Sequence, residues 1–122
     1  HDHYDSTRYY ALNLHAVFSK GTLEWRCFES TLHAGKVRAN ITLALAISAQ
    51  AINQRSSVMR KTISDNELFT FRVWLGRMGL NGPEVKTTRD HLLANLAGNR
   101  SWRYDLDHYE KFQRKKSKEI ER

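Results

Sequence analysis

The chain is poor in the residues that staple or break small folds. It has one cysteine, Cys27, and one proline, Pro83, in 122 residues. A single thiol cannot close an internal disulfide, and no Cys-x-x-Cys or Cys/His pair marks a zinc site. No apolar run approaches the ~18 residues of a membrane-spanning helix. The richest stretch, residues 41–52, is mostly Ala and Leu and too short. Phosphate-binding glycine patterns are missing as well. There is no G-x-x-x-x-G-K-[ST] and no G-x-G-x-x-G, which disfavours P-loop and dinucleotide sites. No signal-peptide pattern is present, and the chain opens on His1 rather than Met. The expectation is a piece of a longer cytoplasmic protein with no membrane partner.

Charge is plentiful but uneven. The formal net charge is +7. Residues 1–54 hold five Lys and Arg against four Asp and Glu, whereas residues 55–122 hold fifteen against nine. Such a basic half is a solvated helical surface or a binding face for a polyanion. Weak nucleic-acid binding through the tail "KFQRKKSKEIER" is therefore one expectation.

Hydrophobic spacing divides the chain. "YYALNLHAVF" alternates, "SKGT" supplies a turn with Gly21, and "GTLEWRCF" alternates again. This predicts a β-hairpin with strands at about 9–18 and 22–29. A two-residue loop would pair Phe18 with Leu23, Ala16 with Trp25 and His15 with Arg26. Val37, Ile41, Ala44/Leu45, Ser48 and Ile52 recur at helical spacing, predicting a long helix over about 34–54. Leu68, Phe71, Leu75 and Met78 predict a second over 65–78, with Gly79 at its end. Pro83 opens a third, over 83–97, whose stripe is Leu92, Leu93 and Leu96. The fold class is thus α+β: one antiparallel hairpin, then a long helix and two to three more. Residues 1–98 form the domain, and residues 99–122 are a linker and a charged helical or disordered tail.

The hairpin parity places Leu12, Leu14, Ala16, Phe18, Leu23, Trp25 and Cys27 on one face. That is a core face for the long helix to cover, with Cys27 a small buried hydrophobe. The other face carries Asn13, His15, Val17, Glu24, Arg26 and Phe28. Side chains two apart on a strand share a face, so Glu24 and Arg26 point together. The plain reading is a solvent face with an ion pair worth at most about 1 kcal/mol. The functional reading is a cleft. A strand-borne carboxylate is a hard ligand for Mg²⁺, and a guanidinium beside it takes phosphate oxygens in a fork.

The stretch "DHYDSTRYYALNLHAVFSKGTLEWRCFESTLHAGKV" closely resembles the putative amidoligase family of many bacterial genomes. The matching positions are Arg8-Tyr9, Asn13, Gly21-Thr22, Glu24, Arg26 and Thr31-Leu32-His33-Ala34-Gly35-Lys36. The downstream "FTFRVWLGRMGLNGPEVKTTRDHLLANLAGN" is similar to the family's helical portion, so the resemblance spans roughly residues 2–100. It implies a glutamine synthetase-like fold and an ATP-dependent carboxylate–amine ligase working through an acyl phosphate. Glu24 would then be a Mg²⁺ ligand, and Arg26 would stabilise the phosphoryl or acyl-phosphate group. Arg8 and Asn13 would contact nucleotide or substrate. The implied substrates are a carboxylate and an amine, peptide or protein among them. Such a sheet has several strands and shares its metal ligands among them. Only one hairpin is legible, so the chain is expected to be the C-terminal part of the domain and inactive alone.

His33 falls where the second strand hands over to the long helix, which suits a role beside substrate or a helix cap. Lys36, in the same first turn, can meet phosphate. Hairpin edges invite strand pairing between copies, hence a homo-oligomer. The alternative to an enzyme is a basic nucleic-acid-binding or interaction module, with Trp102, Tyr104, Tyr109 and Phe112 interleaved among cations.

Overall fold

The computed structural model describes residues 9–104 together with residues 107, 108, 110, 111 and 114. The elements are β1 (Leu12–Asn13), α1 (His15–Lys20), β2 (Glu24–Trp25), α2 (Ala34–Asn53), α3 (Glu67–Arg77) and α4 (Lys86–Leu93). A 3₁₀ turn at Pro83–Val85 leads into α4. Among the described residues the class is α+β, a two-stranded antiparallel hairpin with four helices. Among the described residues, no helix is long and apolar enough to cross a membrane.

The hairpin is much shorter than expected and is closed differently. β1 and β2 pair Leu12 with Trp25 and Asn13 with Glu24. The expected strand continuation at 15–18 is instead α1, and the two-residue loop at Lys20-Gly21 does not form. Two local effects account for this. The Asn13 side chain accepts the His15 backbone N–H at 3.0 Å, a short-range bond that turns the chain out of the strand. At the other end Gly21 takes φ +68°, and its N–H bonds back to the carbonyls of Ala16 and Val17. That left-handed conformation is cheap only without a side chain. Gly21 therefore ends a helical turn instead of closing a β-turn.

The core lies between α2, α3 and α4. Leu75, Leu80 and Leu93 are buried, with Leu43, Ala46, Phe71, Trp74, Met78 and Leu96 packed around them. Phe71, Leu75 and Met78 of the expected second stripe and Leu92, Leu93 and Leu96 of the third lie in or against this core, while Leu68 is buried outside that cluster. α2 packs on α4 and does not lie over the hairpin. Ala39 is the buried residue of α2, one turn on from Gly35, and Leu43 and Ala46 continue that face. Val37, Ile41, Leu45 and Ile52, the stripe picked out from spacing, lie on the exposed side. Small residues let two helices approach closely, so the α4 contact selects the face with Gly35 and Ala39. Leu14, Phe18 and Leu23 are likewise exposed, and Cys27 is an exposed free thiol, not a buried one.

Polar contacts fix the connections. Arg89 Nη1 donates to the carbonyls of Leu80 at 3.1 Å and Gly82 at 2.7 Å, pinning the turn before α4. Asp90 sits between Lys86, at 3.5 Å, and Arg100, at 3.0 Å. Burial pushes the Asp90 carboxyl up, but the combined pull of Lys86 and Arg100 outweighs it and holds the group below the usual carboxylate range. A carboxyl lowered in the folded state contributes stability above its unfolded pKa and loses it as pH falls through the folded value. Arg100→Met is expected to raise the Asp90 midpoint in an NMR titration of its carboxyl carbon. An unchanged midpoint would remove Arg100 from this account.

Candidate functional site

The antiparallel register sets Asn13 directly opposite Glu24, and their side chains meet. Asn13 Nδ2 donates to Glu24 Oε2 at 2.6 Å. Arg26 Nε lies 3.5 Å from Glu24 Oε1, so acid and guanidinium share one side of the ribbon, as the parity predicts. Arg26 Cζ also stands 5.6 Å from the centre of the Tyr9 ring, and its backbone N–H bonds to the Ala11 carbonyl at 2.8 Å. Asn13 is buried, at 7 % exposure. The side chains of Glu24 and Arg26 are 50 % and 33 % exposed. The buried amide thus holds an accessible carboxylate in place, and that carboxylate in turn steers an accessible guanidinium. The arrangement is open to solvent at its charged end. As an ion pair it contributes little stability.

The start of α2 forms a second group. Thr31 Oγ1 accepts the His33 N–H at 3.2 Å. His33 is the N-cap, and its Nδ1 accepts the Lys36 N–H at 3.3 Å. Sequence reading did not single out His91 of α4, whose ring centroid lies 5.0 Å from that of His33, edge to face. The two rings meet over Gly35. A β-carbon there would fall 2.6 Å from His91 Nε2 and 3.0 Å from His33 Cε1. A side chain at this position would have to push the His91 ring aside. Because a cap contributes about 1 kcal/mol, His33→Ala is expected to lower stability by roughly that amount in urea unfolding. His33→Asn, which caps equally well, should restore it.

Glu24, Arg26 and Asn13 are therefore brought together, and His33 and Lys36 share one helical turn. His15, expected opposite Arg26, instead opens α1. Arg8 lies outside the described residues. Among the described residues, no three His, Cys, Asp or Glu side chains gather closely enough to hold a metal ion. Glu24 offers the hard oxygen that magnesium prefers, but a complete coordination shell needs oxygens beyond this group. A separate open groove of about 720 Å³ runs along α3, walled by Phe69, Phe71, Trp74, Arg77, Leu96 and Arg103 among others.

Residues 1–48 match a protein-family model described as "Putative amidoligase enzyme". The match spans the hairpin, the His33 cap and the first three-quarters of α2, and ends before α3. No curated protein matches the chain. No solved structure matches it.

Proposed function

We propose that this chain carries one part of the active site of an ATP-dependent carboxylate–amine ligase, built on a partial glutamine synthetase-like domain. The observation that supports it is the Asn13–Glu24–Arg26 arrangement, which lies inside the matched segment. In such chemistry a carboxylate takes the γ-phosphoryl group of ATP, and an amine displaces phosphate from the acyl phosphate to give an amide. Magnesium, when bound, neutralises phosphate charge, and Glu24 is the residue that would hold it. Arg26 binds phosphoryl oxygens through its guanidinium and steadies charge as it develops. Asn13 orients Glu24, and the family resemblance would give His33 and Lys36, at the start of α2, contacts with substrate or phosphate. A complete magnesium shell needs oxygens beyond Glu24, so nucleotide binding is the activity expected of this group of residues.

The test is affinity for Mg²⁺–ATP, read with a fluorescent ATP analogue. A charge-assisted bond to phosphate corresponds to about ten- to hundredfold in affinity. Arg26→Met and Glu24→Gln are each expected to weaken binding by at least about tenfold. Equal affinity in parent and variants, or no saturable binding by the parent, counts against the assignment.

A second reading is favoured by a different surface. Trp102 and Tyr104 are exposed beside Arg100 and Arg103, and Arg103 stands 5.5 Å over the Tyr104 ring. Aromatic planes with interleaved guanidinium groups suit single-stranded nucleic acid. Most of the tail named for this role lies outside the described residues. Binding to a single-stranded oligonucleotide should then fall steeply and log-linearly with salt. A flat salt response would dismiss this reading.

A further inference from the structure

We propose that His91 is a positioning residue for His33, fixing that imidazole as a hydrogen-bond donor through Nε2. The inference begins with tautomers. A neutral imidazole has one donor and one acceptor nitrogen, and the bond made by one decides the other. His33 Nδ1 accepts the Lys36 N–H, so Nδ1 carries no proton. The proton must be on Nε2, and His33 is an exposed residue. A flipped ring would forfeit the cap.

What opposes the flip comes from α4. The His91 ring stands edge to face against His33 at 5.0 Å, with a 66° angle between the planes. Its Nε2 lies close over Gly35, on the side where His33 presents Nδ1 and Cε1. The backbone of Gly35 and the His91 ring together bound the space in which His33 could rotate. The α2–α4 packing that holds His91 there is the most extensive between elements of the fold. A residue 58 positions along the chain, outside the family-matched segment, thus sets the state of a residue inside it. The role of that Nε2–H as a donor to a phosphoryl oxygen rests on the ligase reading; the locking of the ring does not.

The test uses the ligand-free chain at pH 8, with ¹⁵N correlation of the histidine rings. In the parent, His33 is expected as a single Nε2–H tautomer. His91→Ala should populate both tautomers and speed exchange of the Lys36 amide about fivefold, the factor equivalent to one cap. His91→Phe, which keeps a ring edge, should restore the parent pattern. Gly35→Ala, which drives the rings apart, should reproduce the His91→Ala pattern. An Nδ1–H tautomer in the parent, or an unchanged His33 in His91→Ala, overturns the proposal. Added Mg²⁺–ATP separates it from the ligase reading. Nucleotide that shifts Glu24 and Arg26 resonances but leaves His33 Nε2 still overturns the donor role with that reading intact. Nucleotide that shifts none of them removes the ligase reading, while the tautomer spectra still decide whether His91 holds His33.

Discussion

Leu75→Ala is expected to cost about 3–4 kcal/mol and to lower the melting temperature by roughly 10–15 °C. Leu75 is wholly buried, and it sits at the centre of the cluster with Leu80 and Leu93. Removing its isobutyl group loses the transfer free energy of those atoms and leaves a cavity that its neighbours fill incompletely. Among the described residues the other buried apolar side chains are few: Ala39, Leu68, Leu80 and Leu93. A small domain has a total stability of only about 5–10 kcal/mol, so this one change removes a large share. Leu75→Met should cost less than about 1.5 kcal/mol because volume is kept. Val73→Ala, two positions away on α3 and 37 % exposed, should change stability by under about 0.5 kcal/mol. Denaturant melts of the three variants decide the matter. A similar loss from Val73 and Leu75 would mean that the core has been misplaced. The consequence reaches the candidate site, because α4 carries both Leu93 into this core and His91 to His33.

The helices were legible because their signals are redundant. α2 runs over residues 34–53 against an expected 34–54, and α3 over 67–77 against 65–78. In both, many residues vote for one period, and the buried positions Leu68 and Leu75 were named from spacing alone. The hairpin region was harder. Leu14, Val17 and Phe18 fit a helical spacing of three and four as well as an alternating one, and a run this short does not separate the two. The deciding interactions are the His15 N–H bond to the Asn13 side chain and the left-handed Gly21 that ends α1, neither of which period counting weighs. The buried face of α2 was misread for a related reason. Spacing rewards the large residues Val37, Ile41 and Leu45, whereas close packing on α4 selected the small ones.

The site was half legible. Strand parity placed Glu24 and Arg26 on one side, and that holds although β2 ends at Trp25, because the Arg26 N–H still bonds to the Ala11 carbonyl and its guanidinium reaches Glu24. Asn13 was named through resemblance; its 2.6 Å bond to Glu24 gives it a physical role. His91 was invisible, since which face of α4 meets α2 is settled by the pairing of two helices separated by more than thirty residues. Its only signal was a histidine within an otherwise periodic helix.

Asn66→Ala is the second change expected to damage the fold severely, by about 3 kcal/mol. Asn66 is the N-cap of α3, and its Oδ1 accepts the Phe69 N–H at 3.0 Å. The same oxygen accepts the Asn99 N–H at 3.2 Å. Its Nδ2 donates to the carbonyls of Asn99 at 3.2 Å and Trp102 at 2.6 Å. One amide, 8 % exposed, therefore starts a helix and clamps a segment 33 residues away. Losing the cap alone costs about 1 kcal/mol. Each buried backbone group left without a partner adds about 1 kcal/mol or more, less where water can enter. Asn66→Asp separates these contributions, because the carboxylate keeps both acceptor bonds and loses both donor bonds. It should therefore fall between parent and alanine, with α3 capped but residues 99–102 loosened. Amide exchange reads both ends at once. In Asn66→Asp the Phe69 amide should stay protected, and in Asn66→Ala the Phe69 and Asn99 amides should both be exposed. Equal protection of Phe69 in all three proteins would show that the loop, and not the cap, accounts for the loss.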